Sequence, residues 1–165
     1  MSGAILDRLA LGWRPRVPMV LQTEAAECGL ACLAMLAGYH GAPVEISELR
    51  RRLSVSLKGV NLADLVAMAE RVGFASRPLR LELDELANLR LPCILHWDMN
   101  HFVVLVSVGR DSVVIHDPAV GVRRLLELPV RLEDLADRAL HVRVVGVEEG
   151  ALLGLGDRVA PVLRV

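Results

Sequence analysis

The hydrophobic pattern of this chain changes period once, near Gly73. Before that point apolar residues recur at helical spacing. In "EISELRRRL" Ile46, Leu49 and Leu53 share one face, and in "NLADLVAMAERVG" Leu62, Leu65, Met68, Ala69 and Val72 form a stripe. Beyond it the pattern breaks into short runs dense in β-branched residues, "SRPLRLEL", "CILHW", "HFVVLVSV", "SVVIHD" and "GVRRLLEL". Turn residues separate the last four, at Asp98–Asn100, Gly109–Asp111 and Pro118–Gly121. Helices followed by closely spaced strands specify an α+β fold, with an N-terminal helical layer packed on an antiparallel sheet. The strands leave little room for crossover helices, and no glycine-rich phosphate loop follows one, which argues against a dinucleotide-binding fold.

Finer signals set the boundaries. "RPRVP" carries two prolines that interrupt regular structure after an N-terminal lead-in, residues 1–14. An apolar helix is expected from about Cys28 to Ala37, ended by Gly38. Asn61, with Asp64 three residues on, caps the third helix, and Gly73 stops it. "DELANL" reads as a short helical turn, and "RLEDLADRALHVRVV" as a short helix leading into a last strand. The main domain is expected over residues 15–144, with residues 145–165 as a weakly periodic tail or linker.

A chain of 165 residues, 53% hydrophobic and 24% charged, buries a sizeable single core. With two Trp, two Phe and one Tyr, that core is aliphatic. A formal charge of -1 and scattered arginines provide no phosphate track, so nucleic acid is not an expected partner. Three cysteines cannot all pair within one chain and lack the spacing of a disulfide scaffold, which indicates free thiols in a reducing compartment. The amino terminus is broken by Asp7 and Arg8, unlike a secretory signal. No apolar run reaches the roughly 18 residues needed to cross a bilayer. The expectation is a soluble, cytoplasmic chain.

Chemistry is concentrated in "VLQTEAAECGLACLAML". Cys28 falls in the first turn of an apolar helix, where unpaired backbone N–H groups and the helix dipole favour a thiolate. Cys32, one turn deeper among Leu30, Ala31, Leu33 and Ala34, reads as a small buried thiol. A reactive Cys28 needs a base. Of the histidines, His40 is expected in an exposed turn, and His141 has no polar companion in the sequence. His96 and His101 are not ranked by pattern, although a strand start beside a loop is the more accessible place. If "HFVVLVSV" and "SVVIHD" form a hairpin, His101 and Asp117 stand at the same open end, which suits Asp117 to orient an imidazole. A turn-capping aspartate in "DPAVG" is the simpler account of Asp117 taken alone. Gln22, six residues before Cys28, has an amide able to donate to an oxyanion, although a loop glutamine is usually only solvated. A zinc site using both helical cysteines lacks a second close ligand pair.

Jointly, "LQTEAAECGLACLAMLAGYHG", "SLKGVNLADLVAMAERVG", "LPCILHWDMNHFVVLV" and "IHDPAVGVRR" resemble the peptidase C39 family over about residues 15–144. These domains begin bacteriocin-processing ABC exporters, and the likeness is greatest to the colicin V type. The resemblance implies a papain-like cysteine peptidase that cuts a precursor peptide after a double-glycine leader during export; no cofactor is expected. It implies Cys28 as nucleophile, His101 as general base and then acid, Asp117 as the residue orienting His101, and Gln22 as oxyanion support. Implied partners are the leader-bearing precursor and a membrane exporter, in cis if the domain is excised or otherwise in trans, at the cytoplasmic face of the inner membrane. Two other readings share the fold: a domain that holds leaders without cutting them, and an amide hydrolase or transglutaminase-type enzyme with another substrate.

Overall fold

The computed structural model describes residues 15–53, 59–81, 83–97, 100–126 and 142–149. The helical layer holds α1 (Cys28–Tyr39), α2 (Ile46–Leu53) and α3 (Leu62–Arg71). The sheet holds β1 (Phe74–Leu81), β2 (Cys93–Trp97), β3 (His101–Val108), β4 (Ser112–Asp117), β5 (Gly121–Leu126) and β6 (Val142–Glu149). Short 3-10 segments cover Ala25–Glu27 and Leu83–Asn88. The α+β architecture expected from the change of period is the one observed, although the helix expected within "RLEDLADR" lies outside the described residues.

Helix α1 is apolar all round, and every residue from Cys28 to Ala37 is buried, so it is the central rod of the helical layer. It does not stop at Gly38 but runs to Tyr39. Gly38 serves packing instead: a Cβ there would lie 2.6 Å from Cγ of Pro18, so the segment before α1 can cross the helix only over a glycine. Asn61 caps α3 as its position suggests, with Oδ1 accepting the Asp64 N–H at 2.9 Å.

The six strands run in the order β1-β6-β2-β3-β4-β5, every neighbouring pair antiparallel. Pro78 lacks an N–H to give to a ladder, and its strand β1 lies at the sheet edge, where that omission is tolerated. Strand β6 inserts between β1 and β2, and its pairing with β1 runs through Phe74↔Glu149. Residues 145–149, expected in the tail, are therefore part of the sheet. Their periodicity is weak, but the pairing partner lies some seventy residues away, beyond the reach of any local pattern.

Both faces of the central strands are covered. Ile94, Phe102 and Val104 pack against the three helices, while Cys93, Leu95, Val103 and Leu105 join Leu86, Val113 and Ile115 in a second core. That double burial explains why "CILHW" and "HFVVLV" read as nearly continuous apolar runs. The β3–β4 ladder also changes register at Val106: Ser107 faces Val114, but Leu105 faces Ile115. One extra residue in β3 thus reverses which face its first half presents to β4.

Candidate active site

Cys28 opens α1, and His101 opens β3, the strand on which α1 packs. The Cys28 thiol and the His101 imidazole hydrogen-bond to each other, and the N–H of Phe102 also bonds the sulfur. On its other side the ring meets Asp117, with Nε2 2.8 Å from Oδ1. Nε2 is thereby engaged, so Nδ1 is the nitrogen that faces the sulfur.

The register shift at Val106 makes this line-up possible. Val104 faces His116, so the next step along the ladder sets Asp117 across from Val103, on the side of β3 that His101 shares. Without the extra residue Asp117 would stand opposite Val104, on the other face. The carboxylate is further fixed by its own turn, since Oδ1 accepts the Ala119 N–H at 2.9 Å. Asp117 is therefore a turn cap and a histidine partner at once. Arg123 Nη1 lies 3.6 Å from Oδ2.

The charges follow from these contacts. Burial alone would raise the Cys28 thiol, but hydrogen bonds from His101 and Phe102 and the nearby imidazolium outweigh it and hold the thiol below its ordinary 9.0. His101 is pushed up to about 9, first by its bond to Cys28 and, against some desolvation, by Asp117. Burial opposes ionisation of Asp117, yet His101, the Ala119 N–H and Arg123 keep its carboxyl below the usual 3.8. A thiol held below its ordinary value, beside an imidazole pushed upward and backed by a carboxylate, is an arrangement that favours a thiolate–imidazolium pair.

Gln22 enters the site by its main chain. Its N–H donates to the carbonyl of Pro118 at 2.9 Å, tying the loop before α1 to the turn that carries Asp117. Its Oε1 is shielded from solvent and has no hydrogen-bond partner.

The remaining cysteines and histidines separate cleanly. Cys32 is fully buried, and desolvation pushes its thiol well above the ordinary range. Cys93 lies in the second core, with its thiol raised by burial to about 12. His96 is a packed core ring, stacked on Phe102 at 4.4 Å and 14°, which resolves the tie with His101. His40 is not the exposed turn residue expected: it is half-buried, edge-on to Tyr39 at 5.0 Å and beside Phe74 at 5.8 Å, because α1 runs further than anticipated. His141 lies outside the described residues. Among the described residues no group of three His, Cys, Asp or Glu side chains is arranged to hold a metal ion.

Sequence reasoning did not single out Glu27, Arg50, Phe102 or Arg123 as parts of this neighbourhood. Glu27 carried a signal, a carboxylate directly before Cys28 in a helix start; the Phe102 N–H and the Val106 shift carried none.

The Peptidase C39 family profile matches residues 16–128, a stretch that contains all four of these positions. The chain belongs to the Peptidase C39 family. It is 55% identical over 119 residues to the colicin V secretion/processing ATP-binding protein CvaB of Escherichia coli, covering 72% of this chain and 17% of that one. It thus spans about a sixth of the length of such curated relatives. Among solved structures, a double glycine motif protease from an AMS/PCAT transporter, in complex with the leader peptide, matches with a TM-score of 0.67 and 32% identity. That match covers 79% of this chain and 91% of that one. The peptidase domain of Streptococcus ComA shares the C39 fold at a TM-score of 0.67 and 22% identity, over 81% of this chain and 100% of that one. No helix among the described residues is long and apolar enough to cross a membrane.

Proposed function

We propose that this domain is a cysteine endopeptidase that removes a double-glycine leader from a bacteriocin or similar precursor peptide. The observation that carries the reading is the Cys28–His101–Asp117 array in a C39 chain, with the sulfur at a helix start and the imidazole held from both sides. Supporting it, the relatives named above include a secretion/processing protein and a double glycine motif protease bound to a leader peptide.

The chemistry follows from the pair of charges. The Cys28 thiolate attacks the carbonyl carbon of the second leader glycine, and the carbonyl oxygen becomes an oxyanion. The Gln22 amide and the Cys28 N–H receive it, a donor of this kind being worth about 3 kcal/mol in the transition state. The His101 Nδ1–H passes its proton to the departing amine, the C–N bond breaks, and a thioester to Cys28 remains. Neutral His101 then takes a proton from water, the hydroxide displaces the sulfur, and the leader leaves with a free carboxylate. Asp117 holds the ring through both steps. A Gly-Gly pair suits a channel too narrow for side chains beyond Cβ, which rejects other sequences by shape.

The partners are the leader-bearing precursor and a membrane exporter, linked in the same chain or acting in trans, with the peptidase at the cytoplasmic face of the membrane. The test is cleavage of a synthetic precursor carrying the Gly-Gly leader. Cys28→Ala is expected to abolish it while leaving the fold intact by circular dichroism; cleavage that survives this change rules the reading out.

A further inference from the structure

Glu27 is charged, 4% exposed, and stands directly before the nucleophile in sequence. A carboxylate in such a place is strongly unfavourable unless it is fully paired. Glu27 is paired to two ends. Its Oε2 accepts the N–H of Glu24 at 3.0 Å and of Thr23 at 3.2 Å, and its Oε1 accepts Nε of Arg50 at 2.5 Å, with Nη2 of the same guanidinium also in contact. Burial opposes its ionisation, but these bonds hold the carboxyl below its ordinary 4.5.

Two features separate this from ordinary helix capping. A glutamate that reaches back to one N–H at a helix start commonly stands in solvent; this one is buried, binds two successive N–H groups, and is met by an arginine from α2. The two N–H groups also belong to the residues that follow Gln22, whose Oε1 has no partner of its own and whose N–H is tied to Pro118. The main chain on both sides of the Gln22 side chain is thus anchored: by the Asp117 turn before it and by Glu27 after it. A bare carboxylate beside Cys28 would oppose the thiolate, and Arg50 cancels that charge. The groups that shift the Cys28 thiol are burial, His101, Phe102 and Gly29.

We infer that Glu27, clamped by Arg50, is a positioning residue for cleavage: it fixes the Thr23–Glu24 main chain and so sets the Gln22 amide beside the start of α1. The inference rests on the proposed reading of Gln22 as an oxyanion donor. It predicts that Glu27 acts through Gln22 and not through the thiol.

A double-mutant cycle on the whole chain, with the Gly-Gly precursor as substrate, reads this directly. Glu27→Ala is expected to lower kcat about tenfold or more with KM within about twofold, and to cost less than about twofold when placed on Gln22→Ala. The rate at which iodoacetamide alkylates Cys28 stays within about twofold of wild type, since the His101 contacts are untouched. Glu27→Gln, which keeps an acceptor oxygen for the N–H groups, restores most of the lost kcat. If Glu27→Ala does not fold, the cycle is run with Glu27→Gln, whose smaller loss must likewise vanish on Gln22→Ala. Equal losses in both backgrounds, no loss in either, or an alkylation rate that falls in step with kcat each overturn the inference. Failure of the wild-type chain to cut the peptide would instead remove the functional reading itself.

Discussion

Asp117 Oδ1 lies 2.8 Å from His101 Nε2 although the two residues are not directly opposed in the β3–β4 ladder; they meet diagonally because β3 carries one extra residue at Val106. The same oxygen holds the Ala119 N–H, so the carboxylate cannot swing away from the ring without undoing its own turn. Asp117→Asn keeps an acceptor for Nε2–H but removes the charge that steadies the imidazolium. It is expected to lower kcat by about one to two orders of magnitude. The alkaline limb of the pH–rate profile should also move to lower pH, because His101 loses one cause of its raised pKa. Asp117→Ala additionally strands the Ala119 N–H and should cost roughly 1–2 kcal/mol of stability by denaturant unfolding. An Asp117→Asn profile identical in shape to wild type would contradict this account of the carboxylate.

The proposed mechanism gives the wild-type profile two limbs of opposite sign. On that mechanism cleavage needs the Cys28 thiolate, so kcat/KM is expected to rise with pH as a thiol held below 9.0 loses its proton. It also needs the His101 proton for the leaving amine, so activity falls as pH climbs through about 9. Stability carries the same signature. His101 is raised on folding, so its contribution is complete below its ordinary 6.5 and disappears as pH rises through about 9. The stability gap between wild type and Asp117→Asn should therefore narrow between neutral pH and pH 10, measured by thermal unfolding in matched buffers. Activity that keeps rising beyond pH 10 would show that no imidazolium takes part.

The three thiols should differ sharply in reactivity. Cys28 is 5% exposed with its thiol held below the ordinary range by His101 and Phe102, whereas Cys32 and Cys93 are sealed, with thiols that burial pushes upward. Brief alkylation of the native chain should label Cys28 alone, with the other two reacting only after denaturation; peptide mass mapping reads the result. Cys32→Ala keeps kcat within about threefold and costs roughly 1 kcal/mol of stability, the usual scale for a small core truncation. Native labelling of Cys32 would mean that α1 is not the sealed rod described.

How far the sequence carried this picture depends on the range of each interaction. Helices α1, α2 and α3 were legible because their signals are local: an apolar run, a stripe at helical spacing, an Asn61 cap. The hairpin that brings His101 toward Asp117 was legible too, from two β-branched runs around Gly109. The insertion of β6 between β1 and β2 was not, since its pairing partners lie tens of residues away in the chain and leave no mark on period. Nor was the shift at Val106, because an extra residue inside "HFVVLVSV" looks like any other apolar position, yet it decides which face His101 shares with Asp117. Glu27 lay in plain view as an acidic residue beside a cysteine; what sequence could not supply was Arg50, which turns an unfavourable neighbour into a clamp.

Gly38 gives a prediction that links packing to the site. The segment from Pro18 to Gln22 crosses α1 at Gly38 and then reaches the Asp117 turn: the Pro18 main chain hydrogen-bonds His116, and the Gln22 N–H bonds Pro118. Gly38 sits in the last turn of α1, where alanine is intrinsically the better residue by at most about 1 kcal/mol. Here the added Cβ would lie 2.6 Å from Pro18 Cγ, with Cδ and Cβ of the same ring at 3.4 and 3.8 Å, so the proline and the segment that carries it must shift. Overpacking of this kind typically costs about 1–3 kcal/mol, which outweighs the gain in propensity. Gly38→Ala should therefore lower both the unfolding midpoint and, through a displaced Gln22, kcat. Pro18→Ala removes the atom in the way, so the double variant should recover much of each loss. A Gly38→Ala chain as stable and as active as wild type would mean that the segment before α1 does not rest on the helix as the packing requires.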